Sequence, residues 1–310
     1  MASPLNGDPV FLTGATGFVG SHVLRELLAG GYRVRALARN SLVSWNGVEV
    51  VHGDLRAVGE FARAFQGCRY LVHCAALYSF APRDRADMSS INVGATASLM
   101  LAAHLAGLER AVLTSSSATL GHAESGYHRS KLEQERVAFA SRMPVVALLP
   151  TAPVGPNDHK PTPTGKLVLD FMHGKIVAKA PGSGGMNLVP VEDVARAHVA
   201  ALTLGRIGAR YVVGGENLGM DRIWEMLAEV TGRQMPGWRA PYALAVGAAY
   251  ADELRSRITR TVPNVPLEGV RLSREQMYAS SSDAERDLGY AHTSVRGALE
   301  RAVAWYRAND

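Results

Sequence analysis

The chain has 310 residues, 47% of them hydrophobic, enough to bury one large core or two modest ones. Its 33 basic and 28 acidic residues leave a net charge of +5 without a Lys/Arg block, and no aromatics interleave with basic runs, so a nucleic-acid surface is not indicated. Cys68 and Cys74 lack metal-site or Cys-x-x-Cys spacing, and there is no apolar leader or run of membrane-spanning length; a cytoplasmic, metal-free protein with reduced core thiols is expected.

The first predicted strand is Val10-Phe11-Leu12, followed by Thr13-Gly-Ala-Thr-Gly-Phe-Val-Gly20 and a helix over 18–30. Gly14 and Gly17 permit a tight turn that approaches a phosphate, Gly20 lets the helix lie close on the sheet, and the free N–H groups of its first turn favour a pyrophosphate. A glycine motif carries weight only between strand and helix, where this one lies. Further strands are expected at 33–38, 48–51, 70–74, 111–114 and 145–149, with helical patterns near 57–66, 86–106 and 127–141. This alternation predicts a doubly wound parallel sheet of Rossmann type, its short apolar strands buried on both faces.

Pro150, Pro153, Pro156, Pro161 and Pro163 then forbid continuous helix. Helical patterns near 166–174, 192–204, 220–232, 241–257 and 294–307 follow, among short strands and turns. The expected division is a dinucleotide-binding domain (1–152 plus about 187–213) and a smaller, discontinuous C-terminal substrate-binding domain (153–186 plus 214–310).

Tyr127 and Lys131 stand four apart on a predicted helix and so share a face. A tyrosine is a poor acid–base at neutral pH, and a neighbouring ammonium would favour its phenolate. The preceding cluster Thr114-Ser115-Ser116-Ser117-Ala118-Thr119, at a strand's carboxyl end, could supply a hydroxyl to a substrate oxygen; a solvated turn is the alternative for any single serine.

Together the glycine turn, the serine cluster and Tyr127/Lys131 resemble the extended short-chain dehydrogenases/reductases of the NAD-dependent epimerase/dehydratase superfamily. His73-Cys-Ala-Ala76, Ile91-Asn-Val-Gly-Ala-Thr96, Leu149-Pro-Thr-Ala-Pro-Val-Gly-Pro156 and Asn187-Leu-Val-Pro-Val-Glu-Asp-Val194 extend the resemblance over nearly the whole chain. Lys160-Pro-Thr-Pro-Thr-Gly165, Gly214-Gly-Glu-Asn217 and Ala302-Val-Ala-Trp-Tyr306 place it nearest the dihydroflavonol-4-reductase-like branch and its group of hopanoid-associated sugar epimerases.

The resemblance implies catalytic roles for Ser116 (Ser117 as alternate register), Tyr127, Lys131 and Asn92, the last holding a water that relays protons. It implies cofactor contacts from Gly14, Thr16, Gly17, Phe18, Val19, Arg39, Asp54, Leu55, Ala75, Ala76, Tyr78, Tyr127, Lys131 and Pro150. It also implies a homodimer through the helices near 88–106 and 127–141. The second strand ends Ala38-Arg39-Asn40 without the acidic residue that selects NAD; Arg39 suits a 2′-phosphate, so NADP(H) is expected, with NAD(H) as the alternative. Asp193 reads as a helix N-terminal carboxylate.

The expected activity is interconversion of a ketone and a secondary alcohol, with Tyr127 exchanging the proton. Two alternatives stay open: a nucleotide-sugar epimerase that retains NAD, and a non-catalytic NADP-sensing binding protein. Only ten residues separate Ser116 from Tyr127, whereas relatives carry a longer wall loop there. An open pocket and a bulky, largely apolar small-molecule substrate are therefore expected, walled by Tyr242–Tyr250 and the 166–174 helix, with His122 or Tyr78 as a polar contact.

Overall fold

The computed structural model describes residues 7–39, 42–79, 82–121, 126–179, 181–182, 184–259 and 267–310. These form two compact units. The first comprises residues 1–151, 191–214 and 280–292, and the second 152–190, 215–279 and 293–310.

In the first unit, β1 (Pro9–Thr13), α1 (Phe18–Ala29), β2 (Arg33–Ala38), β3 (Val48–His52), β4 (Tyr70–His73), β5 (Arg110–Thr114) and β6 (Val145–Pro150) appear in chain order. With the edge strand Arg210–Val213 they make a seven-stranded sheet in the order β3-β2-β1-β4-β5-β6-edge, every pair parallel. Sequence alternation explains why both faces are covered. Phe11, Leu37, Leu71, Leu113 and Val145 join a cluster with Phe61, Phe65, Leu99 and Met100, while the intervening Val10, Leu12, Val34, Val72, Val112 and Val146 are also buried. The helix Val191–Ala201 packs on α1. The strand order reverses between β1 and β4, which places a crevice at their carboxyl ends.

The expected α/β, Rossmann-type sheet is thus present, with local differences from the sequence reading. The helical pattern near 86–106 divides into Arg85–Met88, a π-helical turn Ser89–Gly94 and Ala95–Leu105. The wider turn seats Asn92 inward, fully buried.

The second unit builds a small sheet around Gly185–Pro190, which pairs antiparallel with Glu216–Gly219 and parallel with Ala152–Val154 and Gln276–Met277. Residues 187–190 therefore belong here rather than with the first unit. Conversely, 280–292 joins the first unit: Asp287 binds Arg206 and the Tyr211 hydroxyl, and the Tyr290 hydroxyl donates to Gly214 O at 2.6 Å. The proline-rich segment ends where Thr162 caps the helix Pro163–Met172, its Oγ1 accepting from Gly165 N at 3.2 Å. Among the described residues, no helix is long and apolar enough to cross a membrane.

Candidate active site

The glycine turn is sterically tied to the crevice. Gly14 has φ +79°, and a Cβ on it would stand 2.6 Å from Ala75 N at the exit of β4. A Cβ on Gly20 would overlap the Gly14 carbonyl oxygen, so this glycine serves the turn's closure as well as helix–sheet packing. Gly17 precedes α1, and Gly17 N donates to Gly14 O at 2.8 Å. The first turn of α1 has no acidic residue, so its N–H groups and dipole face no competing carboxylate. Thr16, Phe18 and Val19 complete this turn, with Ala75 and Ala76 following β4. The cradle fits a nucleotide's pyrophosphate.

At the ends of β2 and β3, Arg39 is exposed and lies near enough to Asp54 to lower its pKa. The stronger influence is Arg56, whose Nε and Nη2 donate to Asp54 Oδ1 and Oδ2 at 3.0 and 2.7 Å. These bonds hold the Asp54 carboxyl at about 2. Leu55 lies between them, at the start of the short helical turn that Asp54 caps through Arg56 N. Sequence reading missed Arg56, although a second arginine beside Asp54 was a visible signal.

Ser116 is extended and caps the turn Ser117–Leu120, its Oγ accepting from Ala118 N at 3.2 Å. Its hydroxyl lies close enough to the Tyr127 phenol to favour the phenolate. Tyr127 opens the helix Gly126–Phe139, and the Tyr78 ring meets it edge-on at 4.5 Å. Burial pushes the Tyr127 phenol up to about 12, with Ser116 acting in the opposite direction.

Lys131 departs from expectation. Sharing a helix face with Tyr127 suggested an ammonium that lowers the phenol, but the lowering influence is Ser116. The long lysine stem instead carries Nζ to Thr114 O at 2.7 Å and Gln134 Oε1 at 2.5 Å. Burial holds this amine down at about 8, against the opposing charge of Glu135.

Asn92 departs as well. Its Nδ2 donates to Leu77 O (2.9 Å) and Ser130 Oγ (3.1 Å), and its Oδ1 accepts from Leu77 N (2.7 Å). Both amide donors are engaged, so Asn92 brackets the β4 exit to the Tyr127 helix and retains only an Oδ1 lone pair for a water. Pro150 is buried at the end of β6.

Further residues emerge only from the fold. Glu135 accepts from Ser115 and from Thr119 Oγ1 (2.8 Å) and pairs with Arg210 Nε at 2.7 Å, which clamps the serine turn. Its place two turns beyond Tyr127 was a detectable signal. Asp193 pairs with Arg196 in the first turn of its helix, consistent with a structural carboxylate. Cys68 and Cys74 are unbridged, and burial pushes the Cys74 thiol up to about 12.

The expected substrate walls are differently employed. Val168 and Phe171 pack with Ile223, Trp224 and Leu299 in the second unit's own core, while Leu244 and Tyr250 are exposed. His122 lies outside the described residues.

The sequence model of the NAD dependent epimerase/dehydratase family matches residues 10–214. A Synechocystis sp. protein provisionally named dihydroflavonol 4-reductase is 36% identical, over 97% of this chain and 95% of its own. Sterol demethylase protein B of Methylococcus capsulatus is 35% identical, over 96% of this chain and 97% of its own. Among solved structures, gox2253 superposes with a TM-score of 0.83 at 34% identity, covering 97% of this chain and 98% of that one.

Proposed function

The chain belongs to the NAD dependent epimerase/dehydratase family and is an NAD(P)-dependent oxidoreductase; from that footing we propose that it is an NADP(H)-dependent reductase of a bulky, largely apolar ketone. The observation that carries this reading is the juxtaposition of Ser116, capping the turn after β5, with the Tyr127 phenol at the start of the helix Gly126–Phe139, close enough for the serine to favour the phenolate. The phenol carries its proton at neutral pH, as reduction of a carbonyl requires, and Ser116 works against the burial that would weaken it as an acid.

In this mechanism the Ser116 hydroxyl orients the substrate oxygen and Tyr127 delivers a proton to it. NADPH held in this crevice would supply the hydride for the carbonyl carbon. The Gly14–Gly20 turn and the N-terminus of α1 hold the pyrophosphate, and Asp54 takes the adenine amino group. Lys131 binds the nicotinamide ribose, and Arg39, with Arg56 beside Asp54, takes the 2′-phosphate. The names of the two relatives, one for a dihydroflavonol and one for a sterol, support a ring system as substrate. Leu101 and Leu105, exposed on the helix Ala95–Leu105, support a homodimer through that face.

The purified protein, assayed for bound nucleotide and then with NADPH against graded ketones and nucleotide-diphosphate sugars, tests the reading. The expected result is an empty protein that oxidises NADPH with polycyclic ketones. Retained NAD, with turnover confined to the sugars, overturns it in favour of an epimerase.

A further inference from the structure

Beneath the glycine turn a buried polar chain crosses the first unit. Thr13 Oγ1 meets His73 Nδ1 at 2.7 Å, and His73 Nε2 meets Thr96 Oγ1 at 2.8 Å. Gln134 Nε2 donates to the same Thr96 oxygen at 3.0 Å, while Gln134 Oε1 receives the Lys131 ammonium. Thr96 sends its own proton to Asn92 O at 2.7 Å. The Gln134 amide is thereby oriented: flipping it would set its N–H groups against the ammonium and lose the donor to Thr96.

Lys131 is 2% exposed, yet its two acceptors, Thr114 O and Gln134 Oε1, are uncharged. Among the described residues no carboxylate ion-pairs with it. Glu135, four positions along the helix from Lys131, favours the ammonium through its charge but is itself engaged by Arg210, Ser115 and Thr119. The other titratable groups facing Lys131 are His73 on β4, which burial keeps neutral, and the Cys74 thiol just beyond it. A buried ammonium solvated by dipoles stays charged without being neutralised by a partner.

We propose that Gln134 is a positioning residue that holds the Lys131 ammonium charged but unpaired, and so sustains cofactor affinity at and above neutral pH. The proposal rests on the reading of Lys131 as a cofactor contact. Without the Gln134 carbonyl, the amine would lose its proton at lower pH, since burial already favours the neutral form. A carboxylate at the same place would keep the proton to higher pH.

The test is NADPH titration of the full chain by fluorescence between about pH 6.5 and 9, for wild type, Gln134→Leu, Gln134→Glu and Lys131→Met, with melting curves to confirm folding. For a pKa lowered by about one unit, Gln134→Leu should bind less than twofold more weakly than wild type at pH 6.5 but about fivefold more weakly at pH 8. Gln134→Glu should hold its affinity to higher pH than wild type, and it decides the matter if the leucine variant does not fold. A deficit independent of pH in Gln134→Leu, or a wild-type pH dependence in Gln134→Glu, overturns the role of Gln134 alone. Wild-type affinity in Lys131→Met removes the lysine contact and the proposal with it. Absence of NADPH binding by wild type removes the proposed function itself.

Discussion

Thr13 Oγ1 lies 2.7 Å from His73 Nδ1, and this contact sets the imidazole tautomer at the floor of the crevice. Ala75 N donates to Thr13 Oγ1 at 3.3 Å, which leaves the threonine's own proton available to Nδ1. Nε2 then carries the hydrogen and donates to Thr96, whose proton is committed to Asn92 O. Each strand end that frames the glycine turn is therefore locked by a neutral histidine.

That neutrality predicts acid sensitivity. Burial holds His73 at about 3 and His198 at about 4, both below the ordinary histidine value of 6.5. As pH falls through 6.5, the unfolded chain takes up protons that the folded one refuses, so stability falls with pH until the folded values are reached. Between pH 7 and pH 5 each histidine should cost about 2 kcal/mol of stability. Urea midpoints at the two pH values check this, and equal midpoints would contradict it.

Tyr127→Phe should lower turnover by about 10²–10⁴-fold, the usual contribution of a positioned proton donor. NADPH affinity should stay close to wild type, because the substitution removes one hydroxyl and leaves the glycine turn and the N-terminus of α1 intact. Steady-state kinetics on a verified ketone, paired with NADPH titration, decides it. Near-normal turnover would falsify the assignment.

Arg39→Asp should move preference from NADPH toward NADH. The substitution sets a negative charge where a 2′-phosphate would lie, beside an Asp54 already paired with Arg56. Dissociation constants of both cofactors for wild type and variant give the answer; a wild type that prefers NADH removes its basis.

Gly20→Ala should destabilise the fold by about 1–3 kcal/mol and abolish tight NADPH binding, since the added methyl meets the Gly14 carbonyl. Gly59→Ala is the control: nothing stands within 4 Å of its Cβ. Chemical denaturation and NADPH titration of both variants distinguish local overlap from a general intolerance of glycine replacement. Equal behaviour of the two would count against a rigid turn.

The sequence by itself determined the sheet, because its signals are local. Apolar runs at 10–12, 33–38, 70–74 and 145–149, separated by helical periodicity, admit few arrangements other than a parallel doubly wound sheet, and Gly14 and Gly20 mark the turn where side chains cannot fit. Side-chain partners were beyond its reach, since they depend on which segments the sheet brings together. Spacing put Lys131 on the face of Tyr127, but only the packing of β5 against that helix gave its ammonium Thr114 O and Gln134 instead. Asn92 is turned inward by a π-helical turn that no periodicity announces, and Glu135 meets Arg210 across 75 residues of chain. Local pattern dictates backbone through propensity and burial; the partners of a buried charge are decided by desolvation, which requires the whole tertiary structure to be in place.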